Sequence, residues 1–108
     1  MDFSKYQELA VVTAQYGAGA KIMYPALGLG NEAGEVLGKI KKVLRDENGN
    51  FSEENCQKIG DEIGDVLWYI AALATDLNLN LDRVAMGNLK KLESRRQRGV
   101  IQGSGDNR

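Results

Sequence analysis

One eight-residue pattern occurs twice in this chain, and it narrows the possible folds sharply. Gly30 to Leu37 reads GNEAGEVL, and thirty positions later Gly60 to Leu67 reads GDEIGDVL. Each copy carries acids at its third and sixth positions: Glu32 and Glu35, then Glu62 and Asp65. Residues three apart on a helix lie on one face of neighbouring turns, so each copy presents a close pair of negative charges. Apolar residues continue at helical rather than alternating spacing on both sides of each copy. The pattern therefore demands two equivalent amphipathic helices, and two like-charged pairs that need a compensating cation.

The rest of the chain fits an all-α fold of four helices in one small domain, residues 1–99, with a loop-like tail at 100–108. The first helix is expected from about Phe3 to Tyr16, with a stripe through Phe3, Tyr6, Leu9, Ala10, Thr13 and Tyr16. A glycine-containing loop with the only proline, Pro25, separates it from a second helix over about Leu29 to Arg45. The turn DENGN ends that helix, and Ser52 is a natural N-cap for a third that runs to about Leu77. Asn80 is expected to cap a fourth, ending near Gly99, and the segment VIQGSGDNR reads as a flexible terminus.

Placing residues at 100° intervals locates the acids. The stripe of the second helix is Leu29, Ala33, Val36, Ile40, Val43 and Leu44; that of the third is Ile59, Ile63, Val66, Ile70, Leu73 and Leu77. Glu32 and Glu62 lie about 80° to one side of their stripes, and Glu35 and Asp65 about 140° to that same side. A short turn makes the helices antiparallel neighbours, so an approximate two-fold axis brings the pairs into a four-carboxylate cluster at the edge of a bundle. Single surface acids are usually just solvated, but their duplication in spacing and context favours a shared counter-ion. The glycines at positions 30, 34, 60 and 64 each weaken a helix by about 1 kcal/mol relative to alanine, which close packing or ligand access would offset.

Composition removes most rival chemistries. The 108 residues contain no histidine and one cysteine, Cys56. That excludes imidazole-dependent triads, an internal disulfide and multi-cysteine zinc sites. Cys56 is expected to be a small semi-buried residue. Four carboxylates without nitrogen or sulfur suit Mg²⁺, with Mn²⁺ as a substitute, and Mg²⁺ held by few carboxylates keeps positions open for water and substrate phosphates. A net charge of −1 argues against binding a nucleic acid polymer. No apolar run is long enough for a membrane span and the N-terminus lacks the regions of a signal peptide, so a cytoplasmic protein is expected. Asp46, Asn48 and Asn50 have EF-hand spacing, but Phe51 and Gln57 stand where that loop needs glycine and glutamate.

The fourth helix adds cations. Its apolar face is Leu81, Val84, Ala85, Leu89 and Leu92, and Asn88 falls within that face, either bonded to a neighbouring helix or touching a ligand. Lys91 and Arg95 flank Asn88 and suit a clamp on phosphate oxygens. Trp68 lies opposite the main stripe of its helix and needs a second apolar neighbour, with another subunit the favoured candidate and base stacking the lesser one.

On these residues the chain resembles the MazG-like nucleotide pyrophosphohydrolases, an all-α superfamily marked by ExxE on one helix and ExxD on the next. Glu32/Glu35 and Glu62/Asp65 match that signature, within YPALGLGNEAGEVLGKIKKVLRD, DEIGDVLWYIAALA and NLKKLESRRQRG. The ending QGSGDNR resembles that of short phage and bacterial members. The resemblance implies Mg²⁺-dependent hydrolysis of a nucleoside triphosphate, usually a deoxynucleotide, to the monophosphate and pyrophosphate, in nucleotide-pool house-cleaning. It implies that Glu32, Glu35, Glu62 and Asp65 hold the metal and that one of these acids, Glu35 ahead of Glu32, orients or deprotonates the attacking water. Lys91 and Arg95 would steady the phosphates, Asn88 would contact the nucleotide, and Lys39 and Lys42 are further phosphate candidates. The first helix and the loop through Tyr24 would wall the base. The implied bundle is incomplete alone, with Trp68 and Ala72 exposed for a homo-dimer or homo-tetramer. Competing expectations are a base-specific dUTP or dCTP diphosphatase, phosphoribosyl-ATP pyrophosphatase, and a nucleotide-binding regulatory module without turnover.

Overall fold

The computed structural model describes residues 1–108 and is all-helical, in the order α1 (Phe3–Ala10), α2 (Met23–Asp46), α3 (Glu53–Asp76) and α4 (Leu81–Gln97), with short 3-10 turns at Val11–Thr13 and Ala18–Ala20. Three helices start under side-chain caps. Asp2 accepts from Lys5 N at 2.7 Å, Ser52 from Asn55 N at 3.2 Å, and Asn80 from Arg83 N at 3.0 Å. The α2–α3 turn closes through positive-φ Asn48 and Gly49, conformations that these residue types tolerate.

Two boundaries differ from the sequence expectation. The first helix stops at Ala10, where the β-branched run Val11, Val12 and Thr13 begins, and Thr13 Oγ1 donates back to Ala10 O at 2.8 Å. The second helix starts at Met23, so Pro25 lies inside it rather than in a loop. Pro25 occupies the first turn, where its missing N–H is one that no intrahelical carbonyl would have accepted.

Helices α2 and α3 make the most extensive helix–helix contact. Val43 is buried, and Val36, Ile40, Ile59, Val66 and Ile70 are half-buried along the two stripes, whose members Ala33, Leu44, Ile63 and Leu77 stay exposed. The third helix has a second inward face that its main stripe does not reveal. Ala71, Ala72 and Ala74 are buried, and Ala71 and Ala74 form a cluster with Ala10 of α1 and Leu81 of α4. Small side chains let α1 approach closely there. Gln7 clasps the corner: its amide donates to Thr75 Oγ1 (3.0 Å) and Leu79 O (2.8 Å) and accepts from Leu81 N (2.9 Å).

Trp68 is the tryptophan that seemed to need another subunit, and its partner is α1 instead. Its Nε1 donates to Thr13 Oγ1 at 2.7 Å and to Ala10 O at 3.2 Å. Ala72 is likewise buried within the chain rather than exposed. The uncovered apolar side chains lie elsewhere, at Leu27, Leu37, Leu44, Ile63, Met86 and Leu89. Only 8 of 108 residues are buried, and the radius of gyration is 16.8 Å, against about 13 Å for a compact domain of this length. The single chain is therefore thinly packed.

The tail is tied down rather than loose. Arg95 is buried and donates to Asp106 O, while Arg108 donates to Val100 O, Ile101 O and Gly105 O. Gly99, Gly103 and Gly105 supply the positive φ values that this fold-back requires.

Candidate active site

Three of the four twinned acids converge, whereas the angular offsets predict a cluster of all four. Oxygen atoms of Glu32, Glu62 and Asp65 lie within 4.8 Å of one another. Glu32 and Glu62, nearer their stripes, are half-buried, whereas Asp65 and Glu35 are exposed. Glu35 stands outside the triangle but close enough to act on it through charge. Partial burial, then the negative charges of Asp65, Glu62 and Glu35 and a bond to the Glu62 carboxyl, push the Glu32 carboxyl above the ordinary carboxylate range. That mutual repulsion is what a bound cation would relieve, and within the chain Lys39 opposes it, with Nζ 3.3 Å from Glu62 Oε1. Three oxygen donors of hard character, with the fourth acid beside them, match the coordination chemistry of Mg²⁺ or Mn²⁺.

Of the two reasons expected for the repeat glycines, close packing or ligand access, close packing within the chain is not met. A Cβ at Gly30, Gly34, Gly60 or Gly64 would meet nothing within 4 Å. The glycine that packing does require is Gly28, where a Cβ would fall against Cε1, Cδ1 and Cζ of Tyr69. Tyr69 lies one turn beyond Asp65, and this missing side chain seats its ring on α2.

Tyr69 leads from the acids into an aromatic cleft. Its hydroxyl pKa is raised by burial, then by the neighbouring Tyr24 hydroxyl and the charges of Glu32 and Asp65. The Tyr24 ring stacks on Tyr16 at 4.9 Å between centroids and sits 6.3 Å from Tyr69, which meets Trp68 edge-on at 4.9 Å. These four rings, with Thr13 and Gln15, line a cavity of about 290 Å³. Asp76 anchors one wall by accepting from Tyr16 Oη and from Ile22 N, each at 2.9 Å. The backbone at Ile22 is held at φ 68°, a strained conformation for a β-branched residue, inside a γ-turn closed by Met23 N to Lys21 O at 2.7 Å. Sequence reasoning gives this wall to Tyr24 and to the first helix, drawn to Tyr16, but not to Tyr69 or Gly28, whose significance depends on which helices meet.

The fourth-helix candidates are placed less favourably. Asn88 is exposed rather than buried in an apolar face, and no hydrogen bond or ion pair joins Asn88 or Lys91 to the acids. Arg95 points its guanidinium into the tail instead of outward as a clamp. Cys56 is exposed, not semi-buried. Lys39 and Lys42 both line a second cavity on the α2–α3 seam.

Comparison with known proteins agrees with the geometry. Residues 25–100 match the family model of the MazG nucleotide pyrophosphohydrolase domain. The chain is also similar to the Gene 37 protein of Mycobacterium phage L5, 50% identical over 109 residues that cover 95% of this chain and 96% of that protein. No solved structure matches significantly. The matched segment contains all four acids of the twinned helices, together with Tyr24's neighbours Pro25, Gly28 and Tyr69. The chain belongs to the MazG nucleotide pyrophosphohydrolase family, whose general activity is pyrophosphohydrolysis.

Proposed function

We propose that this protein hydrolyses (deoxy)nucleoside triphosphates to the monophosphate and pyrophosphate in a Mg²⁺-dependent reaction that cleans the nucleotide pool. The observation that carries this reading is the triangle of carboxylate oxygens from Glu32, Glu62 and Asp65 on two antiparallel helices. Those three residues and Glu35 would hold the ion. When bound, Mg²⁺ or Mn²⁺ lowers the pKa of water and offsets negative charge at the reacting phosphate.

The side chains of the protein account for the remaining steps. Glu35, exposed beside the triangle, accepts a proton from the attacking water. The water oxygen bonds to the α-phosphorus, the bond to the α–β bridging oxygen breaks, and its electron pair leaves on pyrophosphate. Tyr24 and the other rings of the aromatic cleft take the base, since stacking on π-faces accommodates any nucleobase. Lys39 and Lys42 meet the phosphates. Asn88 and Lys91, which form no bond to the acids within one chain, would meet a nucleotide bound by another copy, whereas Arg95 would have to leave the tail to join them. The thin core and uncovered apolar side chains support a homo-dimer or homo-tetramer. No helix is long and apolar enough to cross a membrane, and a nucleotide substrate suits a cytoplasmic protein.

The test is a panel of ribo- and deoxynucleoside triphosphates with Mg²⁺, read by product analysis. Stoichiometric pyrophosphate and monophosphate support the reaction, and stepwise orthophosphate release refutes it. Glu62→Gln should remain folded and lose activity by orders of magnitude.

A further inference from the structure

The segment from Gln15 to Ile22 walls one side of the aromatic cleft, yet little holds it there. Gly17, Ala18, Gly19, Lys21 and Ile22 are exposed, and a Cβ at Gly17 or Gly19 would meet nothing within 4 Å. Its internal backbone bonds are local, from Ala20 N to Gly17 O at 2.9 Å and from Lys21 N to Ala18 O at 3.4 Å. Every hydrogen bond that ties it to a residue remote in sequence ends on one side chain. That side chain is Asp76, which accepts from Tyr16 Oη and from Ile22 N, each at 2.9 Å.

The two sides of this attachment differ in rigidity. Asp76 is the last residue of α3, beside the corner where Ala71 and Ala74 pack on Ala10 and Leu81. Ile22 is held at φ 68°, strain that a return to negative φ would release. Rotation about that one bond swings the whole segment upstream of it relative to α2. Gln15 and Tyr16, which line the cleft, would move with it. Two bonds to a single carboxylate thus hold the segment closed against a strained backbone.

We propose that residues 15–22 form a lid on the aromatic cleft, latched by Asp76 and hinged at Ile22, which opens to admit a planar aromatic ligand and closes over it. Resting on the reading of the cleft as the base site, the lid admits the nucleobase and then returns Tyr16 and Gln15 to its side. Entry to the cleft is thereby set by an acid that belongs neither to the metal cluster nor to the cleft lining.

Trypsin tests the lid, because Lys21 is exposed within it and proteases cut chain that has opened locally. Cleavage after Lys39, in the middle of α2, reports unfolding of the whole chain in the same digest. The proposal expects Asp76→Ala to raise cleavage after Lys21 at least about tenfold, with cleavage after Lys39 within about twofold of wild type. Tyr16→Phe, which removes one of the two bonds, should give a smaller rise. In metal-free wild type, dATP should slow cleavage after Lys21 over the same concentrations at which it quenches the fluorescence of Trp68, the only tryptophan. Cleavage after Lys21 that Asp76→Ala leaves unchanged, or raises no more than cleavage after Lys39, overturns the proposal. So does dATP that quenches Trp68 without slowing cleavage. Selective cutting of Asp76→Ala after Lys21, with dATP neither quenching nor protecting, would instead defeat the base-site reading and leave the latch standing.

Discussion

Two glycines of α2, two residues apart, should respond to alanine with opposite signs. At Gly30 a Cβ meets nothing within 4 Å, so Gly30→Ala should stabilise the helix by up to about 1 kcal/mol. At Gly28 the same propensity gain of about 1 kcal/mol is opposed by overpacking against the Tyr69 ring, which typically costs 1–3 kcal/mol. Displacing that ring also weakens its contacts with Tyr24 and Trp68, each worth about 0.5–1.5 kcal/mol beyond burial. The net expectation is a loss of about 1–2 kcal/mol for Gly28→Ala, and a gap between the variants of about 2–3 kcal/mol. In a domain of this size that separates their melting temperatures by at least about 8 °C. Thermal unfolding followed by far-UV circular dichroism measures the gap, and near-UV circular dichroism reports the tyrosine and tryptophan environment. Gly28→Ala melting at or above Gly30→Ala, with an unaltered near-UV spectrum, would refute the seating of Tyr69 on α2.

Three further outcomes follow from the same geometry. Because the folded protein holds the Glu32 proton more tightly than the unfolded chain, the Glu32 contribution to metal-free stability is present below the ordinary carboxylate pKa and lost as pH rises through the raised one, opposite in sign to the contributions of Asp46, Asp82 and Glu93, whose pKa values are lowered. Thermal melts across that range, with and without Mg²⁺, should show the ion stabilising more at neutral than at acid pH. The Tyr16 hydroxyl, pushed up to about 12 by burial and by Asp76, contributes stability present below its ordinary value of 10 and lost as pH climbs towards 12; ultraviolet titration of wild type against Asp76→Asn should move that late phase downward. Trp68→Phe removes the donor to Thr13 and Ala10 and should cost about 1 kcal/mol in urea unfolding, without changing the oligomeric state, because its partner is α1.

Helical spacing alone locates the α2–α3 hairpin and the convergence of Glu32, Glu62 and Asp65, because a short turn and matching angular offsets leave little freedom, but it also puts Glu35 in that cluster, outside which the structure leaves it. The caps at Ser52 and Asn80 were equally visible, since each is set by one side chain and the N–H three residues on. The expected first helix is too long because its stripe continues through Thr13 to Tyr16, whereas the β-branched residues from Val11 end the α-helix at Ala10. Trp68 was misassigned because α3 buries two faces. The second is made of alanines, which a search for large apolar residues passes over. Arg95 depended on a tail contact 11 residues away, and the space for Tyr69 at Gly28 depended on two helices meeting. Such long-range contacts leave no local periodicity.

Mn²⁺ binding, followed by electron paramagnetic resonance of the free ion, tests the carboxylate centre most directly. The account predicts saturable uptake by wild type, displaced by Mg²⁺, and at least tenfold weaker uptake by folded Glu62→Gln. Equal uptake by both proteins, or none by wild type, would contradict it.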